Sequence, residues 1–261
     1  MLAEPQGGTN YGMVSFPDPF PADRHWPFPA DAPGSEMTFP CGIFETKIAL
    51  ETHFDLQALE AMEGRTRATL INKITGYKTA NLIGTRSGNG VENLALFNSV
   101  VHIGANPPYL GFILRPTTVP RHSYDNILET GCYTINQVTS DIHKKAHCTS
   151  GKFPSGTSEF EACGLTPVYL GGFKAPFVAE SAIKIGLAFK EEHLLCNGTR
   201  LIVGRISHLY LPDGAVASDG DIALEKLDTV AIGGLDTYYM GEKLGRYGYF
   251  RPGEELRKLD Q

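Results

Sequence analysis

The sequence predicts a mostly β fold: an antiparallel barrel with helices inserted between its strands. Three observations carry this. The segment Ser87-Gly-Asn-Gly90 separates two apolar stretches, and an Asn-Gly turn in that setting needs positive φ and marks a hairpin. A third apolar run follows directly after Asn106-Pro-Pro108, so consecutive strands are joined by turns and not by crossover helices. The helical segments come later and do not alternate with strands, which argues against a doubly wound parallel sheet.

Taken in order, Asn81-Leu-Ile-Gly-Thr-Arg86 and the run over residues 91–103 are the two strands of that hairpin, and residues 109–115 form the third strand. A short helix follows over residues 123–129, with Ser123 as its N-cap and Gly131 as its stop. Residues 132–138 read as a strand, 141–147 as a helix and 159–163 as a short helix. Further strands fall at 182–189, 200–210 and 229–232. No repeat of fixed period appears.

With 261 residues, a folded chain buries roughly 70–75% of its unfolded surface, so no disulfide or metal staple is required. Lys and Arg number 23 against 29 Asp and Glu, a net charge of −6. That lacks the broad basic field on which nucleic-acid binding relies. No apolar run approaches the ~18–20 residues of a membrane span, and no secretory signal is visible. Five scattered cysteines without a C-x-x-C suit reduced thiols, so the expected location is the cytoplasm. The first 40 residues stand apart: they hold eight of the 17 prolines together with Phe16, Phe20, Trp26 and Phe28. Proline fixes φ and removes a donor, so this stretch is either a disordered tail or an extended arm packing its aromatics on the body or on a partner subunit. The expected division is therefore 1–40 and 41–261.

Chemistry concentrates in Arg115-Pro-Thr-Thr-Val-Pro-Arg-His-Ser-Tyr-Asp-Asn126, which leaves a strand and enters a helix. A helix N-terminus offers unpaired amides and the positive end of its dipole. With Arg115, Thr117, Thr118 and His122 just upstream, the segment has what a phosphate dianion needs; the same residues would also make a capped polar surface loop. In the second strand, Ala95, Phe97 and Ser99 alternate with Leu94, Leu96, Asn98 and Val100. Small and polar side chains there would let a flat ring approach the backbone and bond its heteroatom edge to main-chain groups; a strand with one mixed face reads the same way. Neither G-x-G-x-x-G nor a P-loop occurs. His143 and His147 stand at i, i+4 but lack the glutamate of H-E-x-x-H, so no metal is expected. Cys148 follows His147 directly and reads as a buried free thiol.

The stretch Thr69-Leu-Ile-Asn-Lys-Ile-Thr-Gly-Tyr-Lys-Thr-Ala-Asn-Leu-Ile-Gly-Thr85 resembles the flavin reductase-like, flavoredoxin-type FMN-binding split barrels. So do residues 93–100 with Asn106-Pro-Pro108, the 115–122 segment, Ser150-Gly-Lys-Phe-Pro154, Ser158-Glu-Phe160, Gly164-Leu-Thr166, and the tail from Gly234-Leu-Asp-Thr-Tyr238 to Arg251-Pro252. The resemblance runs over about residues 50–252, in order, and has no counterpart for the first 40. It implies a six-stranded antiparallel Greek-key barrel with extra helices, a homodimer, and FMN near the subunit interface. It implies that Ala95, Leu96, Phe97, Asn98, Ser99 and Val100 line the isoalloxazine. Arg115, Thr117, Thr118 and His122 would hold the phosphate, and Lys152 would close over the cofactor. No catalytic side chain is implied, because the cofactor carries the redox chemistry. The expected activity is flavin reduction by NADH or NADPH. Where shorter flavin reductases carry Gly-Asp-His, this chain reads Cys196-Asn-Gly-Thr199, which favours the alternative of an FMN-holding electron carrier served by a protein donor or acceptor. A split barrel holding haem or a deazaflavin is a more distant alternative.

Overall fold

The computed structural model describes residues 52–154 and 156–259. Two short helices, α1 (Leu56–Ala61) and α2 (Gly64–Lys73), lead into β1 (Tyr77–Thr79), β2 (Asn81–Arg86), β3 (Glu92–Phe97), β4 (Val100–Ala105) and β5 (Pro108–Leu114). After α3 (His122–Thr130) come β6 (Cys132–Gln137), α4 (His143–Cys148), α5 (Glu159–Cys163), and the short strands β7 (Pro167–Val168) and β8 (Phe177–Val178). Two long strands, β9 (Lys184–Leu194) and β10 (Arg200–Tyr210), precede a 3-10 turn (Leu224–Leu227), β11 (Val230–Gly233) and β12 (Thr237–Met240).

The main sheet runs β3-β2-β6-β9-β10-β5-β4, with every neighbouring pair antiparallel. β3 and β4 thus lie on opposite edges, although only Asn98 and Ser99 separate them in the chain. Laid flat, seven strands ~4.8 Å apart would hold their outer edges about 29 Å apart. Three Cα steps span at most ~11 Å. The sheet must therefore curl until its edges meet, which makes a barrel with its split at the Asn98–Ser99 bend. The carbonyl of Ser99 still accepts from the Ile113 amide at 3.0 Å, so bonding to β5 begins at the bend itself. The run over residues 91–103 is one strand serving two edges; counted once, it gives the six-stranded barrel that the resemblance implies.

β2 explains how two cores share one sheet. Leu82 and Ile83 point to opposite faces, as alternation requires. Leu82 joins a cluster with Leu94, Ile142, Ala146 and Phe160, whereas Ile83 joins Phe112, Tyr133, Leu187 and Ile202 inside the barrel. Edge-to-face contacts link Phe97 to Phe112 (5.0 Å) and Phe112 to Tyr133 (5.4 Å). Gly84 in β2 leaves room for the backbone opposite: a Cβ there would lie 2.3 Å from the Pro176 carbonyl oxygen.

Several boundaries differ from the sequence reading. α3 begins at His122 with Arg121 at the N-cap position; Ser123 lies inside the helix, buried, and is not its cap. Its hydroxyl accepts from Asn93 Nδ2 at 2.9 Å, and that tertiary bond outweighs local capping. The helix ends as expected, at Gly131 with φ 71°. α4 starts two residues later than the 141–147 reading. The strand read over 182–189 runs from Lys184 to Leu194, because it pairs with β10 along its whole length. α1, α2, β1, β7, β8 and β12 have no counterpart in the sequence reading. The chain divides into two compact units between His53 and Phe54. The Pro-rich stretch 1–40, with Trp26 and its neighbouring phenylalanines, lies outside the described residues, as does Cys41. Among the described residues, no helix is long and apolar enough to cross a membrane.

Candidate functional site

The open edge of β3 is the natural starting point, because among the described residues β3 is bonded to a strand only on its β2 side. The amide of Leu94 points away from β2 and donates to Glu159 Oε2 at 2.9 Å. Antiparallel strands alternate bonded and unbonded pairs, so two residues on, the N–H and C=O of Leu96 face the same open side. Glu159 is only 7% exposed and opens α5, which packs on β3 together with α4. Ser158 Oγ, one residue before it, is buried without a hydrogen-bond partner among the described residues. At the far end of the edge, Asn98 Nδ2 donates to the Gly234 carbonyl at 2.7 Å. This ties the barrel's bend to the turn between β11 and β12.

The six residues from Ala95 to Val100 are all half-buried. Leu96 packs on the first core cluster, and Phe97 and Val100 on the second. The 115–122 segment runs close by, for a topological reason. It starts at the end of β5, where Ile113 is bonded to Ser99. It ends at α3, where Ser123 is bonded to Asn93. Its two ends are therefore pinned at the two ends of the stretch 93–99. α3 is further held by Asn126 Nδ2 donating to Thr85 Oγ1 at 3.1 Å and by Tyr124 OH donating to Glu192 Oε1 at 3.0 Å. Glu192 also pairs with Arg200 at 2.9 Å, so Arg200 is already neutralised. Burial, then the Glu192 bond, raises the Tyr124 hydroxyl above its ordinary pKa.

Within the segment, Thr117 is half-buried, while Arg115, Thr118 and His122 are exposed. None of the four makes a side-chain hydrogen bond or ion pair among the described residues, whereas Arg121 Nε donates to the Pro116 carbonyl at 3.3 Å and braces the loop. Lys152 is exposed on the connection between α4 and α5, the two helices that flank the β3 edge; among the described residues no hydrogen bond or ion pair joins it to the 115–122 segment.

The histidine pair of α4 has a use that spacing alone does not reveal. His147 Nδ1 lies 3.1 Å from Tyr238 OH, and the rings of His143 and His147 flank the Tyr238 ring at 5.5 and 5.8 Å. Burial, with Cys148 nearby, pushes the Tyr238 hydroxyl up to about 12. Cys148 is exposed, contrary to the buried thiol expected, because it closes α4 on its solvent side. Cys132, Cys148, Cys163 and Cys196 are all free. Glu159 falls in the short helix read over 159–163, and Ser158, Gly234 and Tyr238 in segments that carry the resemblance; no local pattern assigns any of them a role, since the partners of Glu159, Gly234 and Tyr238 are distant in sequence.

Residues 77–224 match the flavin reductase like domain family. Among solved structures, the chain is similar to a protein of Shewanella frigidimarina NCIMB 400 named as a candidate flavin reductase with split barrel domain. The two are 49% identical with a TM-score of 0.74, over 77% of this chain and 100% of that one. The flavoredoxin of Desulfovibrio vulgaris (Miyazaki F) shares the fold at 24% identity and a TM-score of 0.58, over 68% of this chain and 93% of that one. An uncharacterised protein of Aquifex aeolicus (strain VF5) is 27% identical over 123 residues, 46% of this chain and 63% of the relative, so the match spans less than two thirds of that protein's length. Fold, ordered motifs and family match agree: this chain belongs to the flavin reductase like domain family, split-barrel proteins of flavin-associated oxidoreductase function.

Proposed function

We propose that the chain binds FMN along the open edge of β3 and passes electrons through it from NADH or NADPH to an acceptor. The observation that carries this reading is the 115–122 segment, pinned at both ends beside Ala95–Val100 and presenting Arg115, Thr117, Thr118 and His122 with no side-chain hydrogen bond or ion pair among the described residues. The residues fit the cofactor on two further counts. The main-chain groups of Leu96 face the open side, and the hydroxyl of Ser158 is a buried donor lacking an acceptor, a state that normally costs about 1–3 kcal/mol.

When bound, FMN supplies the redox centre, accepting two electrons from a reduced nicotinamide and releasing them onward. The protein's part is to hold and orient. Arg115 and the two threonines would take the phosphate through charge-assisted hydrogen bonds. The Leu96 amide and carbonyl would fix the heteroatom edge of the ring, while Glu159 occupies the neighbouring Leu94 amide. Lys152 would approach from the α4–α5 connection.

A second reading is an FMN-holding electron carrier without nicotinamide activity. It is favoured by the turn at Cys196-Asn-Gly-Thr199, where Asn197 Oδ1 accepts from Thr199 N and Thr199 Oγ1 at 3.1 and 2.7 Å. That side chain is committed to its own turn. The protein is further proposed to work as a cytoplasmic homodimer, a state supported by Leu244 and Tyr249, which are 92% and 93% exposed on the C-terminal segment.

Anaerobic mixing of FMN-loaded protein with NADH and with NADPH tests the leading reading. Bleaching of the visible flavin band with one of them is expected. Bleaching with neither, but with a reduced ferredoxin, would establish the carrier instead.

A further inference from the structure

We propose that His147, held by Tyr238, is the proton donor that accompanies electron transfer at this site. The proposal rests on the FMN reading and adds to it an acid–base group on the chain.

Placement comes first. α4 packs on β3, and Tyr238 and Leu96 pack on the same core cluster. Asn98, at the end of the β3 edge, is bonded to Gly234, four residues before Tyr238. The His147–Tyr238 pair therefore flanks the edge along which the flavin ring is proposed to lie.

Chemistry comes second. A tyrosine hydroxyl both donates and accepts. With neutral imidazole, Tyr238 donates to His147 Nδ1; with imidazolium, Nδ1–H donates to the Tyr238 oxygen. The 3.1 Å contact therefore survives a change of protonation without any movement. Because burial holds the Tyr238 hydroxyl protonated, up to about 12, the phenol does not compete for the titration. His147 is exposed, and its Nε2 makes no hydrogen bond among the described residues, so it is free to exchange with ligand or water. An imidazole ring nitrogen can both donate and accept a proton, which suits a group that must give one and regain it.

The step balances. Two electrons and one proton equivalent arrive from the reduced nicotinamide, which leaves oxidised. His147 in its imidazolium form gives a proton to neutralise the negative charge thereby placed on the ring system, becomes neutral imidazole, and recovers a proton from water. The charged and titratable groups around it are His143, Lys144 and Cys148 on α4, and Lys145, whose ammonium donates to Gly164 O at 2.8 Å. Beyond them are Cys163 on α5, Tyr238 itself, and the Lys73–Asp236 pair (3.9 Å) at the foot of β12. Among the described residues, no carboxylate makes a hydrogen bond or ion pair with the imidazole.

The test joins NMR of the His147 ring, assigned by loss of its signals in His147→Gln, with single-turnover kinetics. Adding FMN should move the His147 signals, and reducing the bound FMN with dithionite should raise the proton affinity of the ring at least tenfold. His147→Gln should slow flavin reduction at least tenfold and flatten its pH dependence, with partial rescue by added imidazole; Tyr238→Phe should shift the pH profile while keeping a titrating limb. FMN binding with unmoved His147 signals, or a slowed variant with an unchanged pH profile and no rescue, overturns this inference alone. Failure to bind FMN at all overturns the FMN reading together with it.

Discussion

Thr117 and Thr118 are adjacent in sequence and differ in exposure, and neither makes a side-chain hydrogen bond among the described residues. Each hydroxyl lost from a charged phosphate costs about 1.5–3 kcal/mol, which is roughly ten- to a hundredfold in affinity. Replacing both by Ala should weaken FMN far more than riboflavin, which has no phosphate, and Arg115→Glu should be worse by setting like charge beside the dianion. Fluorescence titration of both flavins decides this; equal losses would mean the phosphate lies elsewhere. Glu159 makes a different kind of contact, inside the structure. Glu159→Ala leaves the Leu94 amide without its acceptor, a loss of about 1–3 kcal/mol. Glu159→Gln keeps an acceptor and should lose less. Urea unfolding of the two variants measures the difference, and equal midpoints would show that the bond is idle.

Elements differ in how openly the sequence declares them. The Ser87–Gly90 turn and the Gly131 stop are legible because only particular residues tolerate positive φ there, and β10 because Leu201, Ile202 and Val203 stand together near its start. α2 is not legible: Gly-Arg-Thr-Arg-Ala-Thr-Leu-Ile-Asn-Lys carries no apolar stripe and buries no residue, and its start is set by the Glu63 carboxylate accepting from the Arg65 and Thr66 amides at 2.9 and 2.8 Å. The 115–122 segment, proposed for the phosphate, stands out in the sequence as a helix start with polar neighbours, whereas Ser123 does not cap that helix because Asn93, thirty residues earlier, claims its hydroxyl. Glu159, Gly234 and the His147–Tyr238 pair belong to the same category: pairings across the fold leave no local periodicity. The C-terminal segment offers a test at this scale. Arg246 Nη1 holds Asp219 Oδ2 at 2.6 Å, while Gly248 N donates to Arg257 O and Leu259 N to Arg246 O at 2.9 and 2.8 Å. The Arg246 bond holds the Asp219 carboxyl below its ordinary value. A depressed carboxyl contributes above its unfolded pKa, near 4, and the contribution disappears as pH falls through the folded value. The NMR signal of the Gly248 amide should therefore stay constant from about pH 7 to 5 and drift toward its unstructured position below about 4. Asp219→Asn should abolish that drift; a drift that persists in the variant would assign it to another group.

On the whole molecule, the apolar surface is unevenly placed. Leu244, Tyr247, Tyr249, Phe250 and Leu256 are all exposed on one C-terminal stretch. Aromatic side chains bury about 150–250 Å² each, so covering these five in two copies removes roughly 1,200–1,600 Å², a standard interface. Exposed apolar patches of this size mark association surfaces. Light scattering should find a dimer, and Leu244→Ser with Tyr249→Ser should shift it toward monomer without unfolding the barrel. A wild-type monomer at all concentrations would remove the homodimer from the proposal.

The bend at Asn98–Ser99 also sets the order in which a growing chain can assemble. Residues 95–122 leave the ribosome before any of β9 and β10 exists, yet β5 finds its second neighbour only in β10, where Leu114 meets Arg200. Until then the emerging chain carries an unpaired β5 flank. Pairings this distant in sequence form slowly and leave sticky edges in the meantime. The stretch 95–122 is encoded early and framed late, so a nascent chain halted before about residue 210 should hold neither a closed barrel nor a flavin.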